Sequence, residues 1–342
     1  MRTSCLSIRL AFATLCVVPA ATASLGAQVI DLTVHDVGLA IGDKPSMTGV
    51  RFNYRDANLC AIHGVNVTLW SPYDPANGVV YGVALGVPVT GAEDIFGMTA
   101  SVIGSGVRRN MVGVGVGGIG VGAGGDVRGI MLGGIGAGAG GSITGLSIGG
   151  IGVGSGRGLS GIQIGGIGVG GGGDVTGISV GGIGVGGGGN VNGIAVGGIG
   201  VGGGGSLTGI GIGGIGVGAG GSVTGIAIGG IGVGSGGTLK GVAAGGIGVG
   251  APTVHGIAIA GLVVGGQYVQ GLAAAGGYFK IADDGRLDGV GIAAVTNVRG
   301  QQHGLTIGLF NYAHELHGAQ LGLINVSDNG GNRRVLPVIS VR

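Results

Sequence analysis

Between Gly113 and Gly250 aliphatic residues alternate with glycine, and the pattern returns every sixteen residues. Ile119, Ile135, Ile151, Ile167, Ile183, Ile199, Ile215, Ile231 and Ile247 mark the period, each inside GGIG, and the unit reads G-I-x-V-G-G-I-G-V-G-x-G-G-x-V-x. Within one unit Ile194 and Val196 alternate, and so do Ile199 and Val201, but the two pairs are out of phase across Gly197-Gly198. A flat strand would place half of these aliphatics on the wrong face. A chain that turns a corner at Gly-Gly is expected to bring all four inside. The aliphatic residue recurring at Val127, Ile143, Leu159, Val175, Val191, Leu207, Val223 and Leu239 is expected to join them. Two short strands per coil, stacked on identical coils about 4.8 Å apart, make a β-solenoid. The pattern therefore predicts an all-β chain built as a β-solenoid of about sixteen-residue coils. The alternative is an outer-membrane β-barrel with one strand per unit. Against it, the central units break phase and lack the unbroken apolar face and aromatic girdles of a membrane strand.

The same glycine-led phase runs outward in looser form, through GVRFNY from Gly49, GVNVTLW from Gly64, GVALGV from Gly82, GIAIAGLVV from Gly256 and GLAAAGGYF from Gly271. No aromatic residue lies between Gly97 and Gln267, whereas Phe52, Tyr54, Trp70, Tyr73 and Tyr81 precede that stretch and Tyr268, Tyr278, Phe279, Phe310 and Tyr312 follow it. Solenoid ends expose an open core, so the aromatic flanks are expected to be caps. The organisation reads as a leader over residues 1–27, an N-terminal cap with degenerate repeats over 28–112, the regular array over 113–250, and degenerate repeats with a C-terminal cap over 251–342.

Composition narrows the class. The 342 residues include 95 glycines, only seven prolines and 9% charged residues. Collagen is excluded, because glycine does not fall at every third position. With 44% hydrophobic residues the chain is too aliphatic for disorder. A net charge of +2 leaves no electrostatic footprint for nucleic acid. Arg2 and Arg9 precede the apolar run Leu10–Ala20 and the small residues Ala21-Thr22-Ala23, so the start reads as a secretory signal with cleavage after 23 or 27. Cys5 and Cys16 would leave with it, so that Cys60 is expected to have no partner within the mature chain.

GVRFNY, GVNVTLW, GLTIGLFNYAHELHGAQLGLINVS and the closing LPVIS resemble the bacterial surface-repeat family first noted in spirochaetes, whose units read roughly G-L-x-I-G-L-x-N. The likeness runs from about Gly49 to Gly97 and from Gly289 to Ser340, and fades in the centre, where GGIGVG stands instead. It implies a cell-surface or outer-membrane-associated protein, and it brings no catalytic residues.

Other motifs carry less. GxGxxG at Gly184, Gly186 and Gly189 lacks the strand-to-helix context and the later acidic residue of a dinucleotide site. A calcium roll needs an aspartate in every turn, and only Asp126 and Asp174 occupy that place. His303, His314, Glu315 and His317 read as solvated turn residues, because HELH is not HExxH. Asn297, Asn311 and Asn325 read as turn asparagines bonded to the backbone. Thr144, Ser160, Thr176, Asn192, Thr208 and Thr224 form one polar rank, expected in a turn and reminiscent only distantly of ice-binding solenoids. Trp70-Ser71-Pro72-Tyr73 serves equally as a stacking platform for sugar or as cap packing.

No paired carboxylates and no nucleophile with its base stand out, so a non-enzymatic structural or interaction protein of the bacterial envelope is expected, without cofactor or metal. The runner-up is a barrel pore or transporter. The partner would be an envelope or extracellular component, with outer-membrane association in view. Trp70, Tyr73, Phe310 and Tyr312 are the candidate contacts, backed by flank charges including Arg51, Arg55, Asp56, Lys280, Arg286, Arg333 and Arg334. The array itself is expected to present mostly Gly, Ala, Ser and Thr.

Overall fold

The computed structural model describes residues 29–72 and 77–342; the expected leader and Tyr73 lie outside them. All regular elements among the described residues are strands. The chain divides into two units, one ending at Ile130 and one beginning at Met131, and each is a β-solenoid.

In the first unit the strands Ser46–Asn53, Ala61–Thr68, Val79–Gly86, Asp94–Ser101 and Met111–Gly117 stack in parallel, in sequence order. An antiparallel hairpin, Ile30–Val34 with Val37–Ile41, covers the first coil. Lys44 donates to Asp31 at 2.7 Å and Thr33 Oγ1 donates to it at 2.6 Å. Those two hydrogen bonds hold the Asp31 carboxyl down at about 2.

In the second unit the seven-residue strands, such as Val175–Gly181, Val191–Gly197 and Leu207–Gly213, form one parallel ladder. The four-residue strands, such as Gly184–Gly187 and Gly200–Gly203, form a second. Each residue stands on the one sixteen positions earlier, and the amide of Ile199 donates to the carbonyl of Ile183 at 2.6 Å. The last coils widen into the strands Val263–Ala275, Tyr278–Ile292, Val295–Ile307 and Phe310–Asn329, and Asn332–Val341 folds back antiparallel over the final one. Parallel neighbours that stack instead of closing into a ring make a solenoid and exclude the barrel.

The facing of the side chains corrects the sequence-based expectation. Val191, Ala195 and Val201 are buried, but Ile194 and Val196 point outward and Ile199 stands on the corner, 48% exposed. In the long strand Val191, Ala195 and Gly197 are buried, with the exposed Gly193 between the first two. The corner then consumes Gly198 and Ile199, and Val201 resumes the inward phase. The corner is tight: a Cβ placed at Gly197 would collide with the carbonyl oxygen of Gly200, three residues on, so the chain turns backbone against backbone there. Each regular coil buries two aliphatic residues and one at a third position that is small in most coils, as at Ser147, Ser179, Ala195 or Ala227, but is Met131 or Gln163 in others, not five aliphatics.

The leading glycine of each unit has its own requirement. Gly193 lies at φ +113°, where L residues are strained, and a Cβ there would collide with the carbonyl of Gly177 in the preceding coil. The same positive φ occurs at Gly49, Gly64, Gly82 and Gly97 in the first unit and at Gly256, Gly271, Gly289 and Gly304 in the second. That shared bend is the physical content of the glycine-led phase. Gly202, by contrast, faces outward with no atom nearer than 4.0 Å to a Cβ built on it.

The polar rank is also relocated. Thr176, Asn192 and Thr208 pair within the long strands and face outward, so the rank lies on a wall and not in a turn. The turn polar residues are a separate column. Asp174 Oδ1 accepts from the amide of Asn190 at 2.7 Å, Asn190 Oδ1 from Ser206 at 2.8 Å, and Ser206 Oγ from Ser222 at 3.1 Å.

Two outcomes follow. Deleting Gly193–Thr208 joins Asn192 to Gly209 in register and is expected to leave a folded protein with unchanged circular dichroism per residue, whereas deleting eight residues from Gly193 loses protease resistance. Gly193→Ala is expected to cost about 1 kcal/mol or more from positive φ alone, while Gly202→Ala leaves the unfolding midpoint unmoved in a denaturant titration.

Candidate functional site

The outward positions of the short strands hold the clearest change along the second unit. Gly200 and Gly202 repeat as glycine in the regular coils, but in the last coils the same two columns fill with side chains. Gly248 pairs with Val263, which pairs with Tyr278, then Val295, then Phe310. Gly250 pairs with Gly265, then Lys280, Asn297 and Tyr312. Between these outward columns the inward one runs Val249, Val264, Phe279, Thr296 and Asn311, all buried. Phe279 is accommodated because Gly291 faces it; a Cβ on Gly291 would stand 2.7 Å from the ring.

Register shifts between Ile281 and Arg286 and between Val298 and Gln301 bulge the neighbouring chain outward. The bulges carry Asp283, Asp284 and Arg299. They and the filled columns enclose a groove of about 620 Å³ lined by Asp283, Asp284, Val295, Asn297, Arg299, Phe310, Tyr312 and His314. Asn297 Nδ2 donates to the Tyr278 hydroxyl at 2.7 Å, and Arg299 lies 3.6 Å from Asp283. The arrangement is an aromatic floor with carboxylates, a guanidinium, an amide and an imidazole at its edge. It suits a ligand with one apolar face and several hydrogen-bonding groups. Among the described residues no group of three or more His, Cys, Asp or Glu is placed to hold a metal ion.

Of the four sequence-derived contacts, Phe310 and Tyr312 come together in this groove, Phe310 being 38% exposed. Trp70 is 49% exposed in the first unit, and Tyr73 lies outside the described residues. The aromatic flanks are not caps in the expected sense. Among the described aromatics of the flanks only Phe279 is buried in the core, while Phe52, Tyr54, Tyr268 and Phe310 are exposed, and the antiparallel hairpins cover the ends instead. Tyr81 stacks on His63 at 4.7 Å and on Phe96 at 5.2 Å along one outward column, a spacing set by the coil repeat.

His303 and His317 stack at 4.8 Å in paired strands, and Glu315 accepts from Gln301 at 2.9 Å, so the HELH segment is strand and not turn. Asn311 and Asn325 bond the backbone as expected, to the carbonyls of Leu321 and Leu336, but they are buried inside. Asn297 differs, since its partner is Tyr278. Cys60 is disulfide-bonded; the other cysteines of the sequence, Cys5 and Cys16, belong to the expected leader and lie outside the described residues.

Sequence reasoning missed the interior of the first unit. Arg51 and Asp56 are not surface charges but core residues. The Arg51 guanidinium pairs with Asp43 and Asp56 and donates to Asn66 Oδ1 at 2.9 Å. Thr68 Oγ1 donates to Asp56 at 2.6 Å and Asn53 Nδ2 donates to it at 3.0 Å. Arg51 follows Ala40 and precedes Asn66 in one inward column, so the signal was available in the phase of GVRFN under GVNVT.

No family model, curated protein or solved structure matches the chain. No described helix is long and apolar enough to cross a membrane.

Removing the guanidinium leaves two carboxylates buried without a counter-charge. Arg51→Met is therefore expected to destabilise the first unit by about 3–5 kcal/mol. Hydrogen exchange should show Ser46–Thr68 losing protection while Val191–Gly229 keeps it.

Proposed function

We propose that this chain is an exported, non-enzymatic structural and interaction protein of the bacterial envelope, in which the regular coils are a spacer and the groove around Phe310 and Tyr312 is the contact site. The observation that carries this reading is the filling of the two outward glycine columns. Glycine there is not demanded by the fold, since the last coils carry Tyr278, Lys280, Asn297, Phe310 and Tyr312 at the same places. Recognition groups thus gather on four consecutive coils. Large aromatic residues with adjacent polar groups are the usual anchors of binding surfaces. The apolar start of the chain and the likeness to surface repeats support export. The partner is an envelope or extracellular component that stacks on the aromatic floor and hydrogen-bonds to Asp283, Asp284 and Arg299.

Cells expressing the tagged protein are fractionated, shaved with protease and washed with carbonate. The wild-type chain is expected at the surface. Phe310→Ala with Tyr312→Ala is expected to lower retention or pull-down of the partner about tenfold or more, by analogy with loss of an aromatic anchor, with circular dichroism unchanged. Trp70→Ala is expected to have little effect. Binding that follows the number of coils and ignores Phe310 and Tyr312 would sink the reading and shift attention to the polar rank of Thr176, Asn192 and Thr208.

A further inference from the structure

Outward from the long-strand wall of the second unit stand two columns of aliphatic side chains at sixteen-residue spacing, represented by Ile194 and Val196, with the corner column of Ile199 beside them. Ile194 is 40% exposed and Ile199 48%. Summed along the regular coils, the three columns leave on the order of 1,500–2,000 Å² of aliphatic surface open. The largest apolar patch on a typical monomer is roughly 300–600 Å². A standard stable interface needs about 800 Å² from each partner. This wall therefore offers about twice what a stable dimer requires.

We infer that this wall pairs face to face with the same wall of a second copy of the chain, forming a dry sheet-on-sheet interface. The repeat spacing selects that occupant. Each column is a row of β-branched or branched side chains about 4.8 Å apart. A facing surface can seat every side chain between two of its own only if it has the same spacing over the whole length, and an identical coil array supplies it at every coil. Interdigitated faces of this kind pack about 10 Å apart and exclude water. The border of the wall argues against a lipid surface. Between Met131 and Leu239 the only charged residues are Arg157 and Asp174, and there is no aromatic residue. Faces that lie on membranes are flanked by Lys or Arg and by Trp or Tyr at the headgroup level. The groove at Phe310 and Tyr312 belongs to the short-strand wall, so pairing leaves it open, and the inference does not depend on the groove's role.

The test is the mass of the full chain by sedimentation equilibrium across micromolar concentrations, comparing wild type with a variant carrying Ile162→Lys, Ile194→Lys and Ile226→Lys. These positions lie on alternate coils, so the new charges are not stacked directly. Wild type is expected as a dimer. The lysine variant is expected as a monomer with association weakened about a hundredfold or more, since three charges would have to be buried. A control with Gly170→Lys, Gly202→Lys and Gly234→Lys on the other wall is expected to stay dimeric. If the lysine variant fails the circular dichroism check, Ile162→Thr, Ile194→Thr and Ile226→Thr keep the strand-forming shape and are expected to weaken the dimer measurably. A monomeric wild type, a lysine or threonine variant that dimerises as tightly as wild type, or a control that dissociates would each overturn the inference. So would wild-type chain that floats with neutral phosphatidylcholine vesicles in preference to dimerising.

Discussion

A carbonyl oxygen of one coil occupies the space where a Cβ of the next would stand. That contact recurs at Gly177 against Gly193 and at Gly182 against Gly198, and it is the constraint from which the regular array follows. Stacking at the spacing of a parallel sheet leaves no latitude at those points, so glycine recurs there whatever its entropic cost. The same tightness acts around the corner at Gly197 and Gly200, where the turning chain meets its own backbone. The interior holds Val191, Ala195 and Val201 in one coil, and Ile143, Leu159, Leu207 or Gln163 at the matching places of others. Ile194 and Ile199 stand outside because the strand alternation and the corner turn their positions outward.

Where the coil is wider the interior changes character. In the last coils Phe279 replaces a valine and is matched by Gly291, and beyond it Thr296, Asn311 and Asn325 form a hydrogen-bonded column. In the first unit, Arg51 with Asp43, Asp56, Asn53, Asn66 and Thr68 fills the core with a polar network. Such a network contributes less net stability than an aliphatic core of the same volume, but it fixes register strongly, because a shifted coil would leave charges unpaired. The irregular coils also bulge, and the bulges place Asp283, Asp284 and Arg299 beside Phe310 and Tyr312.

Period, strand content and parallel stacking were legible in the sequence, because Ile183, Ile199 and Ile215 at constant spacing admit little else. Facing was not. Ile194 and Val201 differ in parity, and parity alone does not say which of two residues a corner turns outward; the geometry of the corner decides, and that is a tertiary quantity. The groove was half legible. Phe310 and Tyr312 stood out as aromatics, but their neighbours Asn297 and Arg299 join them only through register with the array, visible once YFK, VTN and FNY are aligned under GVG. Arg51 looked like a surface charge because buried arginine is rare, and only its place between Ala40 and Asn66 shows otherwise.

The turn column bears on how such a chain is inherited. Asp174, Asn190, Ser206 and Ser222 each offer a side-chain oxygen to the next turn, and the backbone amides of Asn190, Ser206, Ser222 and Thr238 donate to them in order. Every joint in that relay has an oxygen acceptor below and a backbone donor above, so these coils are interchangeable with one another. At the level of the gene, a block of sixteen codons copied or lost by recombination between neighbouring blocks makes no mismatched joint. Coil number is thus a quantity that replication errors change in whole steps at little structural cost, and selection acts on length as directly as it acts on residues.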